Sequence, residues 1–389
     1  MIDITRLLCG KTNEAEHLRY PGDSFSGRRA PAVVVWNCTR RCNLRCIHCY
    51  SESRDTAYTD ELSTAEAKSL IDDLARFGVS VLLFSGGEPL MRQDLLELGR
   101  HAAKRGLRPV VSTNGTLIHN GAAAEIKAAG FKYVGVSLDG LEKTNDSFRG
   151  VKGAFSQAIE GIRQCLEAGM KVGVRFTITR RNVGDLGGIF SLIDREAIPR
   201  LCIYHLVYAG RGSTLIKDDL DRMQARKTMD LIFERTEELS ARNRPLEVLT
   251  VDNPADGVYL YLNVRKRSPS HAEDIQRLLR INGGNGSGVN IGCVDNAGDV
   301  HPDQFWRHYS FGNVRERPFS EIWTGDDPIQ LGLRNKEKMV KGRCHTCNYL
   351  NICKGGLRVR AEAVSGDIWA EEPACYLTDE EIHSQRGQP

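Results

Sequence analysis

The chain has 389 residues, enough for one large α/β barrel with a smaller module or for two to three average domains. Its 53 basic and 50 acidic residues leave a net charge of +3, so neither nucleic acid nor an anionic membrane is expected as a partner. No run approaches eighteen apolar residues, and the start "MIDITRLLCGKTNEAEH" has no basic-then-apolar signal, so the expected location is the cytoplasm, in soluble form.

Residues 1–30 read as an N-terminal segment. The first strand is "AVVVW" (32–36), and it runs straight into "CTRRCNLRCIHC" (38–49), with four cysteines in twelve residues. "STAEAKSLIDDLARFG" then reads as a helix, with Ser63 as N-cap, Glu66 completing a capping box and Gly78 as the stop. Further strands are expected at "VSVLLF" (79–84), "LRPVVS" (107–112), "YVGVSL" (133–138), "VGVRFTI" (172–178) and "LCIYHLVY" (201–208). They are short and rich in β-branched and aromatic residues, as suits strands buried on both faces. Helical patterns alternate with them: "GAFSQAIEGIRQCLEAG", "NVGDLGGIFSLIDREA" and the long "DDLDRMQARKTMDLIFERTEELSARN". Six strand–helix units imply an α/β fold, a partial parallel (β/α)6 TIM-like barrel, over 31–245. Residues 246–290 read as a linker on the substrate side, and 291–389 as a small C-terminal module with a hairpin in "GDVHPDQFWRHYSFGNVRERPFSEIW".

In such a barrel the chemistry gathers at the C-terminal ends of the strands. The cysteine loop follows the first strand, "SGGEP" the second, "TNGT" the third, "SLDG" the fourth and "YAGRG" the sixth. Five polar or glycine-rich motifs are thereby expected on one rim.

Of twelve cysteines, seven fall in two groups: Cys42, Cys46 and Cys49 at C-x3-C-x2-C, then Cys344, Cys347, Cys353 and Cys375. In a reducing compartment such clusters are metal ligands more often than disulfides. Cys9, Cys38, Cys165, Cys202 and Cys293 are expected to be small buried apolar residues. Three thiolates leave one iron of a four-iron cluster free to hold another ligand. A zinc knuckle would need a fourth ligand nearby, and His48 or Cys38 could provide one.

Cys42-x3-Cys46-x2-Cys49, with His48 before the last cysteine, resembles the radical S-adenosylmethionine (SAM) enzymes. The resemblance implies a [4Fe-4S] cluster on these cysteines, with SAM chelating the open iron. It implies that the backbone of Gly86 and Gly87 and the side chain of Glu88 receive the methionine ammonium. Ser137 and Asp139 match the hydroxyl and ribose-binding positions, Arg175 is a candidate for the SAM carboxylate, and Asn114 lines the floor. An electron from the reduced cluster would then cleave SAM to a 5′-deoxyadenosyl radical that takes hydrogen from an unactivated C–H. A low-potential ferredoxin or flavodoxin is the implied donor.

Cys344-x2-Cys347-x5-Cys353-x21-Cys375 resembles the C-terminal auxiliary-cluster extension called SPASM. That pattern normally supports two further clusters. Here Leu357 and Asp303 stand where two of its cysteines are expected, which implies a single auxiliary [4Fe-4S] cluster with four cysteine ligands.

Stretches such as "LLFSGGEPLMR", "FRGVKGAF", "HLVYAGRG", "GGNGSGVNIG", "VHPDQFW" and "PACYLTDEEI" resemble one branch, the radical SAM enzymes that tailor sirohaem-derived tetrapyrroles. Two activities share these stretches. One removes two acetate arms from 12,18-didecarboxysirohaem to leave iron-coproporphyrin; the other makes a dioxo haem from the same precursor. The N-terminal "ITRLLCGKTNEAEHLRYPG" and "HPDQFWRHYSFGNV" look more like the first. A flat, polyanionic iron macrocycle needs aromatic walls and arginines at its edges. Tyr204, Tyr208, Phe305 and Trp306 are the candidate walls, and Arg149, Arg211 and Arg307 the candidate carboxylate partners. His205, His301 or His308 is the candidate iron ligand. A peptide-modifying maturase would be expected to bring a leader-binding domain, for which the 41 residues before Cys42 are few.

Overall fold

The computed structural model describes residues 1–11, 29–119, 121–242, 244 and 246–383. The stretch around "LRY" lies outside the described residues. One eleven-stranded sheet organises the chain. Its strands are β1 (Ile2–Asp3), β2 (Val33–Thr39), β3 (Val81–Gly86), β4 (Arg108–Thr113), β5 (Val134–Ser137), β6 (Val172–Ile178), β7 (Arg200–His205), β8 (Glu247–Val251), β9 (Ile291–Val294), β10 (Asp299–His301) and β11 (Gly312–Asn313). Their spatial order is β1-β8-β7-β6-β5-β4-β3-β2-β9-β10-β11. From β2 to β8 every neighbouring pair is parallel, and helices cross between successive strands.

The six strands read from the sequence are β2 to β7. The parallel sheet does not stop at residue 245, however, because β8 pairs with β7 from Arg200↔Glu247 to Tyr204↔Val251. The stretch expected to be a linker therefore holds a barrel strand and two helices, Ala255–Arg267 and Pro269–Asn282. Residues 1–9 are likewise part of the barrel: β1 pairs antiparallel with β8, and Thr5 donates its hydroxyl to Leu246 O at 3.2 Å. At the other edge β9 pairs parallel with β2, so the C-terminal module continues the same sheet through the β9–β10–β11 meander.

Local rules explain the elements. The helix Thr64–Phe77 begins in a capping box between Ser63 and Glu66 and ends at Gly78, whose φ of 96° is the left-handed stop. Its Leu70, Ile71 and Leu74 face the sheet, where each buried side chain is worth about 1.5–3 kcal/mol. Asp73, on the same helix, accepts the Ser320 N–H at 2.9 Å and the Ser320 hydroxyl at 2.8 Å, tying the helix Phe319–Trp323 of the C-terminal module to the barrel. Among the described residues no helix is long and apolar enough to cross a membrane.

A candidate active site at the strand ends

The loop after β2 owes its course to backbone contacts on three sides. The Arg45 N–H donates to Arg149 O at 3.0 Å and the Ile47 N–H to Phe148 O at 2.9 Å, so the helix Glu142–Arg149 supports its middle. The Gly87 N–H donates to Thr39 O at 2.7 Å and the Glu88 N–H to Arg41 O at 2.8 Å. That approach requires glycine: a Cβ on Gly86 would lie 2.2 Å from Thr39 O, and one on Gly87 2.1 Å from Arg41 O. On the third side the Arg211 N–H donates to Cys49 O at 3.0 Å.

The result is a cavity of about 200 Å3, walled by Cys42, Cys46 and Cys49 and by the ends of seven strands. Gly86, Gly87, Asn114, Ser137, Arg149, Arg175, His205 and Arg211 all reach it, as do Tyr204 and Phe305. Asn114 points an amide nitrogen at Asn43 Oδ1 (2.8 Å) and at Cys42 Sγ (4.0 Å). Arg175 donates to Ser112 Oγ and lies 5.7 Å from the Tyr204 ring centroid.

Two residues expected at SAM face elsewhere. Glu88 is 0% exposed and does not line the cavity: its carboxylate accepts from Thr113 Oγ1 (2.7 Å), the Asn114 N–H (2.7 Å) and the Leu90 N–H (3.1 Å). It therefore splices the β3 turn to the β4 turn, and burial pushes its pKa up against those three donors. Asp139 is 1% exposed and also lies behind the wall. One oxygen accepts the Thr177 N–H at 2.9 Å, and the other meets Arg149 Nη2 at 2.6 Å and His48 Nε2 at 3.2 Å. Arg149 in turn donates Nη1 to Cys46 Sγ at 3.5 Å. Asp139 is thus the counter-charge that holds Arg149 on a cysteine, and His48 is spent on the same carboxylate.

The residues expected at the macrocycle divide similarly. Arg211 donates to Cys46 O (2.8 Å) and Ser53 O (3.2 Å) and clamps the cysteine loop from the cavity side. Tyr208 and Arg307 do not line this cavity but a neighbouring one of about 430 Å3, which shares Tyr50 and Phe305 with it. Those two rings meet edge-on, 5.3 Å apart. Trp306 is 0% exposed and packs against Val207, Ala209, Leu357 and Val359, so it is core and not wall. Of the histidines, His301 binds Tyr309 O at 2.7 Å and lies in neither cavity, while His308 stands in the outer one beside Glu362 at 2.9 Å. His205 lines the inner cavity, but its Nε2 is 2.9 Å from Asp256 Oδ2. Burial opposes a charge there, yet Asp256 prevails and raises the imidazole pKa.

Cys344, Cys347, Cys353 and Cys375 line a second cavity of about 30 Å3. Each sulfur accepts at least one N–H: from Glu372 on Cys344 (3.3 Å), Tyr349 on Cys347 (3.4 Å), Gly355 on Cys353 (3.4 Å), and the Arg343 guanidinium (3.3 Å) together with the Leu377 backbone on Cys375. Asp303, at the position where a cysteine is expected, accepts from Ser287 Oγ and from the Phe305 N–H (2.8 Å) and so sets the loop that brings Phe305 to the inner cavity. Cys38 is fully buried in the core and lines neither cysteine cavity.

Both thiol sets suit iron–sulfur clusters. Among the described residues no three His, Cys, Asp or Glu side chains converge on one point as a single metal ion would require. The thiols instead ring a space, and every sulfur has a hydrogen-bonding neighbour: the Leu44 N–H on Cys42 (3.4 Å), Arg149 on Cys46 and Ser51 Oγ beside Cys49 (3.4 Å). Burial pushes the Cys42 thiol up to about 12, so a bound metal would be needed to hold it as thiolate. Arg175 Nε and Arg211 Nη2 are buried without a hydrogen-bond partner, as a cavity built for an anionic or carboxylate-bearing ligand would leave them.

The signals that sequence reading missed are Tyr50, Asp252 and Gln304, which all line the inner cavity. Asp252 follows β8 directly and stands where strand-end chemistry is expected, once that strand is known.

Comparison with known proteins agrees with this geometry. The radical SAM superfamily model matches residues 36–192, and the SPASM iron–sulfur cluster-binding domain matches residues 289–348. The Fe-coproporphyrin III synthase of Methanosarcina barkeri is 54% identical, covering 98% of this chain and 99% of that protein. The pre-heme d1 synthase of Dinoroseobacter shibae is 44% identical, covering 93% and 91%. Among solved structures, anSMEcpe with bound AdoMet superposes with a TM-score of 0.70 at 17% identity over 90% of this chain and 95% of that one, a likeness of fold alone. This chain belongs to the radical SAM superfamily and carries a C-terminal SPASM region.

Proposed function

We propose that the chain is an Fe-coproporphyrin III synthase, removing the two acetate arms of 12,18-didecarboxysirohaem. The observation that carries this reading is the 54% identity over nearly the whole of both chains, against 44% for the dioxo-haem branch.

Cys42, Cys46 and Cys49 would hold the cluster, and the cavity beside them would take SAM. When bound, the two supply the 5′-deoxyadenosyl radical that removes a hydrogen atom from substrate. The chain's residues do the rest. Arg149, fixed by Asp139, places a positive charge on the Cys46 sulfur. The free N–H groups of Arg175 and Arg211 would orient carboxylates, while Asn114, Ser137 and the glycine turn shape the floor. His205, whose imidazole pKa Asp256 raises against the cost of burial, adds a ring nitrogen held in place by that carboxylate.

The outer cavity, with Tyr208, Arg307 and His308 in its walls, suits the body of a flat polyanion, and the shared Tyr50–Phe305 wall would let one acetate arm reach the inner cavity. The four C-terminal cysteines would hold one auxiliary cluster, with a ferredoxin or flavodoxin as external donor. The test is anaerobic reconstitution, reduction and incubation with 12,18-didecarboxysirohaem and SAM. Loss of two acetate units in the product mass is expected; a dioxo product would assign the chain to the other branch.

A further inference from the structure

The end of β8 is a partition between the two cysteine sites. Asp252 lines the inner cavity; its neighbour Asn253 lines the auxiliary one and donates Nδ2 to Ala374 O at 3.0 Å, one residue before Cys375. Asp252 is the one carboxyl side chain among the described residues that reaches the inner cavity. Its backbone is left-handed, with φ at 68°, a conformation that costs a non-glycine residue on the order of 1 kcal/mol or more. The fold enforces it through Arg360, which is fully buried. Its guanidinium donates to Asp252 O (3.1 Å) and Leu206 O (3.1 Å) and pairs with Glu372 (3.0 Å). Yet Asp252 Oδ2 is buried with no hydrogen-bond partner. A carboxyl oxygen aimed at a cavity from strained, clamped backbone and left unpaired serves the ligand rather than the fold.

Resting on the deacetylase reading, we propose that Asp252 is the catalytic proton donor to the departing acetate arm. Loss of one hydrogen atom from the reduced pyrrole ring leaves an unpaired electron beside the carbon that bears the arm. Breaking that C–C bond homolytically forms the ring double bond and frees the arm as the carboxymethyl radical. One electron, from a low-potential iron–sulfur donor, and one proton, from the Asp252 carboxyl, convert it to acetate. Asp252 is left as carboxylate and recovers its proton from solvent before the second arm.

The surroundings suit that duty. Burial raises the Asp252 pKa to about 6, aided by Asp303 and opposed by Arg360, the N-terminal amine and His205; Tyr204 also faces it. A carboxyl in this range is half protonated at about pH 6, keeps about a tenth of its protons at pH 7, and can both give up and recover a proton in turnover. The partition also puts the proton source and the auxiliary thiols on two faces of one peptide unit, so electron and proton would reach the arm from the same side.

The test has a cofactor-free arm and a turnover arm. In the metal-free protein, infrared titration should show a carboxyl C=O band lost with a midpoint near pH 6 and absent from Asp252→Asn. In turnover with 12,18-didecarboxysirohaem in D2O, acetate should carry one deuterium in its methyl group. Asp252→Asn should lower the ratio of acetate to 5′-deoxyadenosine at least tenfold, and Asp252→Glu should restore much of it. Acetate without deuterium, a wild-type ratio in Asp252→Asn, or no such infrared band would each overturn the proposal. If wild-type enzyme cleaves SAM but releases no acetate while the band is present, the deacetylase reading falls, and this role with it.

Discussion

The three thiols at the strand ends ring a cavity of about 200 Å3, whereas the four thiols of the C-terminal module surround only about 30 Å3. The first set comes from one loop of eight residues; the second is gathered from two short turns and a distant Cys375. Their hydrogen bonds differ too. All four C-terminal sulfurs take a backbone N–H, while at the strand ends three of the four partners are side chains, Asn114, Arg149 and Ser51. An incomplete ligand set beside free volume is built to admit another molecule; a complete set around so small a volume leaves no room for one. The same element, cysteine, therefore serves two purposes in one chain, decided by what surrounds it.

The largest effect should come from separating the two sets. Replacing Cys42, Cys46 or Cys49 by Ala should abolish 5′-deoxyadenosine formation. Replacing Cys344, Cys347, Cys353 or Cys375 should spare it but depress conversion of the tetrapyrrole. Product analysis of folded, reconstituted variants checks both halves. An auxiliary-site variant that binds substrate and turns over at the wild-type rate would reduce the second set to a staple of the fold.

Asp139 tests how the open set is supported. Because its carboxylate neutralises Arg149, Asp139→Ala leaves a buried cation unpaired, and the metal-free protein should lose about 3–5 kcal/mol in urea unfolding. Iron uptake should fall with it. Unchanged stability combined with SAM binding weakened by about 1–3 kcal/mol would instead restore the ribose contact expected from the sequence.

That reversal shows where sequence reading stops. Motif order set the cysteine loop, the glycine turn, Asn114 and Arg175 on β6 around one space, as the cavity shows, because strand ends in a parallel barrel share an address. Side-chain direction is a different matter. Whether Asp139 faces ligand or protein depends on Arg149 and His48, which reach it from the helix before Gly150 and from the cysteine loop itself. Glu88 turned inward for the same reason, captured by donors on β4 and its turn. Trp306 looked like a pocket wall because aromatic residues near a substrate motif suggest one, but apolar neighbours from three separate stretches cover it. β8 escaped notice as a short run after Pro245, and Asp252 with it, since a lone acid at an unrecognised strand end has no pattern to mark it.

Asp252, at the partition, gives a pH-dependent comparison. Its folded pKa of about 6 lies above the ordinary carboxyl value of 3.8, so the folded state binds more protons than the unfolded one. The associated stability is present in full below about pH 4 and is lost as pH rises through about 6. Asp252→Asn removes that loss. Between pH 5 and pH 8 the metal-free variant should gain about 1.4 kcal/mol relative to wild type, and a flat difference across this range would show an ordinary carboxyl.

The smallest effect isolates the C-terminal set's one side-chain donor. Arg343 gives Nη1 to Cys375 at 3.3 Å while Nε holds Asp379 at 2.6 Å, so the guanidinium is fixed on the sulfur rather than free in solvent. A positive N–H donor stabilises the more negative, reduced cluster more than the oxidised one and so raises the potential. Arg343→Met keeps much of the stem but removes the donor and the charge. With a charged hydrogen bond worth about 1.5 kcal/mol, and about 60 mV per tenfold change for a one-electron couple, the auxiliary midpoint should fall by roughly 60 mV. The strand-end cluster, which has its own cation in Arg149, should keep its potential. Redox titration followed by electron paramagnetic resonance resolves the two signals. A shift in both, or in neither, would mean that Arg343 acts on the fold and not on the sulfur, and the difference between the two cysteine sets would then rest on ligand count and free volume alone.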